Sequence, residues 1–181
     1  MTSGQAPLFL PADTRSMELR DAHEADLPGL LAIYNEVIAN STAVYTDVPV
    51  TLEDRLQWWK SRMASGYPVL VATDPSGVLG FSTFGDFRAW PGYRFTVEHT
   101  VHVRSDCRGR GVGRALVQEL FPRAQAGGKH VMIAGVDAAN LASIRFHERL
   151  GFERAGHLRE VGSKFGRWLD LVFLQRWIGP R

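Results

Sequence analysis

The residues from Val101 to Leu116 (VHVRSDCRGRGVGRAL) carry the densest chemistry in the chain. Arg104, Arg108, Arg110 and Arg114 bring permanent positive charge, and Gly109, Gly111 and Gly113 interleave with them. A β-rich run, Phe95 to Val103, precedes the loop, and apolar periodicity takes over at Val112. Strand, glycine loop and helix start, in that order, make an anion site. The first amides of a helix are unpaired, the dipole adds positive charge, and glycine lets backbone N–H groups close in. The stretch therefore suits a phosphorylated ligand. A P-loop is excluded, because no Gly-x-x-x-x-Gly-Lys-Ser/Thr segment exists. A dinucleotide fingerprint fails at Leu116, where a third small residue is needed after Gly111-Val112-Gly113-Arg114-Ala115. What remains is Arg-x-x-Gly-x-Gly, met by Arg108, Gly111 and Gly113, with a solvated basic turn as the plain alternative.

The elements around this loop must supply a scaffold, and 181 residues suffice for one domain with a sizeable core. Apolar content of 45% and charged content of 22% are ordinary for a globular chain. A net charge of +2 is too balanced to imply nucleic acid. The single cysteine, Cys107, rules out an intrachain disulfide, and no Cys/His spacing resembles a zinc site, so no metal is expected. No apolar run reaches transmembrane length, and no membrane role is expected. Residues 1–15 read as a flexible leader and residues 16–181 as one domain. The stretch from Met1 to Thr14 makes a poor signal peptide, so the expected location is the cytoplasm.

Periodicity gives the order β-α-α-β-β-β-α-β-α-β-β, an α/β fold with a single mixed sheet flanked by helices. A first helix starts near His23–Asp26, with Leu27, Leu30, Leu31, Tyr34, Val37 and Ile38 on its apolar face. Thr51 caps a second helix, whose stripe reads Leu56, Trp59 and Met63 and which ends at Gly66. Asp74-Pro75-Ser76-Gly77 is turn chemistry between two strands. Pro122 is expected to kink or shorten the helix that follows the arginine loop. His130 to Val136 reads as a sheet-interior strand. Asn140 caps a further helix that Gly151 ends.

Three ordered motifs now stand together: Arg108-x-x-Gly111-x-Gly113, Asn140-Leu141-Ala142-Ser143, and Phe146-His147-Glu148-Arg149-Leu150-Gly151-Phe152. Together they resemble the GNAT family of N-acetyltransferases over roughly Met17 to Leu174. The likeness is sharper to its phosphinothricin and methionine sulfoximine branch, through Tyr34-Asn35, Ser41 to Tyr45, Thr96 to Val101 and Gly162 to Asp170. The resemblance implies acetyl-CoA as co-substrate. The pantetheine arm would lie along Val101, His102 and Val103. Arg108, Gly109, Arg110, Gly111, Val112, Gly113 and Arg114 would hold the pyrophosphate, and Asn140 and Ser143 would border the arm, besides capping their helix. It also implies a homodimer.

Transfer to an amine needs a base for the ammonium proton. Glu98 is the candidate, since it interrupts an apolar strand and burial would raise its pKa. Its alternative is a structural ion pair. His147 stands where many relatives carry a tyrosine acid for the departing thiolate, with a satisfied core histidine as its alternative. His99 and His102 share the Glu98 strand, and either can hold it. For the acceptor, Arg88 suits a carboxylate, and Phe84, Trp90 and Tyr93 would wall a side-chain pocket. Tyr34, Tyr45, Lys164 and Trp168 are lesser candidates. The implied activity is acetylation of the α-amino group of methionine sulfoximine, methionine sulfone or phosphinothricin-like amino acids. Alternatives are another small amine, a protein N-terminus, or a non-catalytic acyl-CoA sensor.

Overall fold

The computed structural model describes residues 17–179, so the expected leader lies outside the described residues. Seven strands and four helices follow in chain order: β1 (Glu18–Asp21), α1 (Leu27–Asn40), α2 (Leu52–Ala64), β2 (Val69–Asp74), β3 (Gly77–Asp86), β4 (Thr96–Val103), α3 (Val112–Ala126), β5 (Val131–Asp137), α4 (Leu141–Arg149), β6 (Glu153–Lys164) and β7 (Arg167–Trp177). This is the order that the periodicity predicts. The strands form one sheet, β1-β2-β3-β4-β5-β7-β6. Only β4 and β5 pair in parallel, and α3 supplies the crossover that such a pair needs.

Two cores sandwich the sheet. On one face Leu116, Val117 and Leu120 of α3 and Ile144 of α4 pack on Met132, Ala134 and Leu174. On the other, Leu27, Leu30 and Ile33 of α1 pack on Val69, Val71 and Phe81, with Leu56, Trp58 and Trp59 of α2 beside them. Thr51 caps α2 reciprocally with Asp54: its hydroxyl accepts from the Asp54 amide at 3.1 Å, and Asp54 accepts from the Thr51 amide at 2.7 Å. The predicted stripe of α2 needs correction at one end, because Met63 is exposed and the buried residue is Arg55. Pro122 does not end α3, which runs to Ala126. It costs one helical hydrogen bond, while Leu120 and Ala124 on either side stay buried.

Lys164 at the end of β6 is 1% exposed. Its ammonium donates to the carbonyls of Ile38 (2.6 Å), Ser41 (2.6 Å) and Val44 (2.9 Å). It therefore caps the C-terminal end of α1 with a full positive charge and pins the segment that follows. Thr42 donates to the Asp137 carboxylate at the end of β5, and Tyr45 donates to the Asp170 carbonyl at 3.2 Å. Lys164, an acceptor-site candidate in the sequence, is spent on structure here. Lys164→Met should leave buried carbonyls without donors and cost on the order of 2–5 kcal/mol in urea unfolding. Trp168→Ala, at a side chain 69% exposed, should change stability by less than about 0.5 kcal/mol.

Candidate active site

The arginine loop forms a groove of ≈ 590 Å³ between the start of α3 and α4. Gly111 is the residue before α3 and sits at φ 85°, a conformation only glycine adopts cheaply. No side chain caps this helix, so its first amides open into the groove. Val101, His102, Val103, Arg108, Gly109, Gly111, Val112, Gly113, Arg114, Asn140 and Ser143 border it, as the sequence reading expects. Arg110 is the exception: its guanidinium lies 3.6 Å from the Cys107 sulfur. Arg149 borders the groove too, although the sequence reading did not select it. Cys107 is buried, which raises its pKa and keeps it a thiol.

The pairing of β4 with β5 stops at Glu98 opposite Ile133, and beyond that point the strands part. The Arg104 amide donates to Leu79 (2.8 Å), and the Thr96 carbonyl accepts from Phe87 (3.3 Å). Even-numbered residues of β4 thus use their backbone groups on β3. Val101 and Val103 direct theirs into the fork, where an extended ligand arm can pair with them. The backbone of His102 faces Phe81 of β3, so only its side chain reaches either cavity.

A second cavity of ≈ 520 Å³ reaches through the fork and takes in Glu98, His99, His147, Asn140, Tyr34, Arg55 and Trp58. Glu98 stands at the branch point. Burial raises its pKa, and the charge of Arg88 opposes that rise. No salt bridge to Glu98 occurs among the described residues. Gly135 makes room for it, since a Cβ there would lie 2.8 Å from Glu98 Oε1. That is the close approach which a glycine inside a strand signals.

His147 projects from the opposite face of the sheet. Its Nδ1 lies 2.8 Å from the Ser143 carbonyl, so Nδ1 carries the proton and Nε2 is bare in the neutral ring. Burial lowers its pKa, against the pull of that hydrogen bond. The resting imidazole is therefore an acceptor toward the cavity, not the ready acid that the family likeness implies. His99 packs beside it, ring centroids 5.1 Å apart, and has no hydrogen-bond partner on either nitrogen. His99 lies across the sheet from Glu98 and does not hold it.

The four acceptor candidates scatter. Phe84 pairs with His99 across the strands, so strand alternation turns its ring away from Glu98 and into the α3-side core, against Tyr67. Phe84 does not line the Glu98 cavity, which corrects its expected role. Trp90 and Tyr93 are exposed on the loop between β3 and β4. Arg88 lies over the Phe87 ring at 4.2 Å and donates to its carbonyl. None of these three lines the cavity. Arg55 does: it is 5% exposed, over the rings of Tyr34 (3.9 Å) and Trp58 (4.5 Å), with Nε unpartnered.

Residues 30–152 match the model of the acetyltransferase (GNAT) family. The chain is 52% identical to the L-methionine sulfoximine/L-methionine sulfone acetyltransferase of Pseudomonas aeruginosa, covering 91% of this chain and 96% of that one. It is 37% identical to the phosphinothricin N-acetyltransferase of Streptomyces coelicolor, covering 90% and 97%. A putative acetyltransferase from Salmonella typhimurium, solved with acetyl-CoA, superposes with a TM-score of 0.89 at 42% identity, covering 92% and 96%.

Burial pulls the pKa of His99 to about 3 and that of His102 to about 4, from 6.5. The unfolded chain thus takes up protons first. Stability present above pH 6.5 is lost as pH falls toward 4 and then 3. Urea unfolding from pH 7 to 4.5 should show that decline, and His99→Phe should flatten it.

Proposed function

The chain belongs to the GNAT family of acetyltransferases, and from that premise we propose that it moves an acetyl group from acetyl-CoA to the α-amino group of methionine sulfoximine, methionine sulfone or a phosphinothricin-like amino acid. The observation that carries this is the fork: a desolvated carboxylate at its branch point, an amide-lined groove on one side and a cavity bordered by Arg55 and Arg62 on the other. The relatives named for methionine sulfoximine, methionine sulfone and phosphinothricin support the acceptor class.

Residues of this chain fit acetyl-CoA. The amides at the start of α3, with Arg108 and Arg114, would hold the pyrophosphate. Val101 and Val103 would pair with the pantetheine arm, and the amide nitrogen of Asn140 is left for it because Oδ1 caps Ser143. A backbone N–H of the Val101 region would meet the carbonyl oxygen as charge develops on it. Glu98 takes the ammonium proton, directly or through a water, and its raised pKa brings it nearer working pH. His147 Nε2 would accept the second amine proton as the C–N bond forms. It would then return that proton to the thiolate as the C–S bond breaks. Arg88, beside Glu98, would draw an anionic acceptor to the cavity. A cytoplasmic homodimer completes the reading.

The test follows free thiol from acetyl-CoA with a panel of amino acids, the sulfone, the sulfoximine, phosphinothricin and peptide N-termini. Rapid release with the sulfone or sulfoximine is expected, and turnover of peptides alone would overturn the acceptor class. Glu98→Gln should lower kcat/KM by about 10²–10⁴-fold and remove the acid limb of its pH profile. A raised folded pKa means that ionised Glu98 costs stability above its titration window. Glu98→Gln should therefore also raise Tm at pH 7. Gly135→Ala should displace Glu98 and lower kcat, with acetyl-CoA affinity by calorimetry unchanged.

A further inference from the structure

Arg55 is a permanent charge inside a cavity. A guanidinium holds five donors and is expensive to bury without an anion. No carboxylate makes an ion pair with Arg55 among the described residues. Asp54, its chain neighbour, borders the same cavity and its charge reaches Arg55, but its carboxylate is exposed, is engaged by the Thr51 cap and makes no ion pair with the guanidinium. The other cation in the cavity, Arg62, donates to the Phe84 carbonyl at 3.3 Å over the space that Gly85 leaves open. Arg55 instead lies over two aromatic rings, which fix its plane and supply no counter-charge. Its Nε has no partner at all. The charge is aligned and desolvated before any ligand arrives.

We propose that Arg55 is the seat of the acceptor's α-carboxylate in the Glu98 cavity, with the Tyr34 and Trp58 rings holding its fork in place. Of the two groups in methionine sulfone able to take up a bidentate guanidinium, only the carboxylate is an anion, and only an anion offsets a buried charge. Arg88, exposed and folded onto Phe87, meets that group on the way in; Arg55 holds it while Glu98 and the fork address the adjacent amine. This rests on the amino acid reading above and specifies which residue makes the acceptor an amino acid and not a simple amine.

The experiment crosses two acceptors with three proteins. The acceptors are L-methionine sulfone and 3-(methylsulfonyl)propan-1-amine, which is the same molecule without its carboxylate. The proteins are wild type, Arg55→Met and Arg55→Lys. Arg55→Met should raise KM for the sulfone by about 10²-fold or more, since a charge-assisted pair is lost, and change kcat/KM for the carboxylate-free amine by less than about threefold. Arg55→Lys keeps charge without the fork and should show an intermediate penalty, again confined to the sulfone. It carries the comparison alone if Arg55→Met does not fold. Acetyl-CoA affinity should be unchanged in both variants. Equal losses with the two acceptors, or no rise in KM for the sulfone, would overturn the carboxylate seat and leave the amino acid reading standing. Wild-type silence toward the sulfone and every other amino acid would overturn that reading and the seat with it.

Discussion

The parting of β4 from β5 is the constraint on which the rest depends. Parallel strands normally satisfy each other's backbone groups along their full length, and a buried unpaired amide or carbonyl is costly. Here three residue pairs form, and then the strands separate with Val101 and Val103 turned into the opening. The outer edge of β5 stays fully paired with β7, from Val131 to Asp137. The rest of the sheet can therefore bear the break. The fork leaves the inner backbone groups of Val101 and Val103 in the geometry with which an extended, amide-bearing arm would pair.

The same break decides where charge can sit. Glu98 lies at the last paired position, on the face of α1 and α2, while His99 and His147 lie on the face of α3 and α4. Within an intact sheet those faces would never communicate. Through the fork they line one cavity. Groups from both faces of the sheet can then reach one bound molecule at the fork. Lys164 and Asp137 hold the segment after α1 over this opening, which is why a buried ammonium at the far end of β6 belongs to the same construction.

Much of this is legible in sequence because it is local. The arginine loop declares itself through residue type and spacing, and Glu98 through a carboxylate placed in an apolar strand. What failed did so over which way a side chain faces. Phe84 reads as a pocket aromatic until its pairing with His99 fixes its face. The buried edge of α2 lies one position away from the stripe that its apolar residues mark. Arg55, Trp58, Trp59 and Arg62 recur at helical spacing, so arginines flanking paired tryptophans carried the signal. A rule that treats arginine as solvent-facing hides it. The tautomer of His147 was beyond reach, because it depends on a carbonyl one turn earlier in the helix.

Desolvated ionisable groups of both signs then give the cavity its selectivity. Glu98 and Arg55 border one space, yet no salt bridge joins Arg55 to any carboxylate among the described residues. Had they paired, each would have satisfied the other and the cavity would be chemically inert. Held apart, neither makes an ion pair among the described residues, and a zwitterion offers one to both, ammonium to Glu98 and carboxylate to Arg55. An amine without a carboxylate satisfies one group only, and a carboxylate without an amine satisfies the other only. A cavity built in this way discriminates through the cost of burying unpaired charge and not through shape alone. That cost stands in the free protein, as the raised pKa of Glu98 already records.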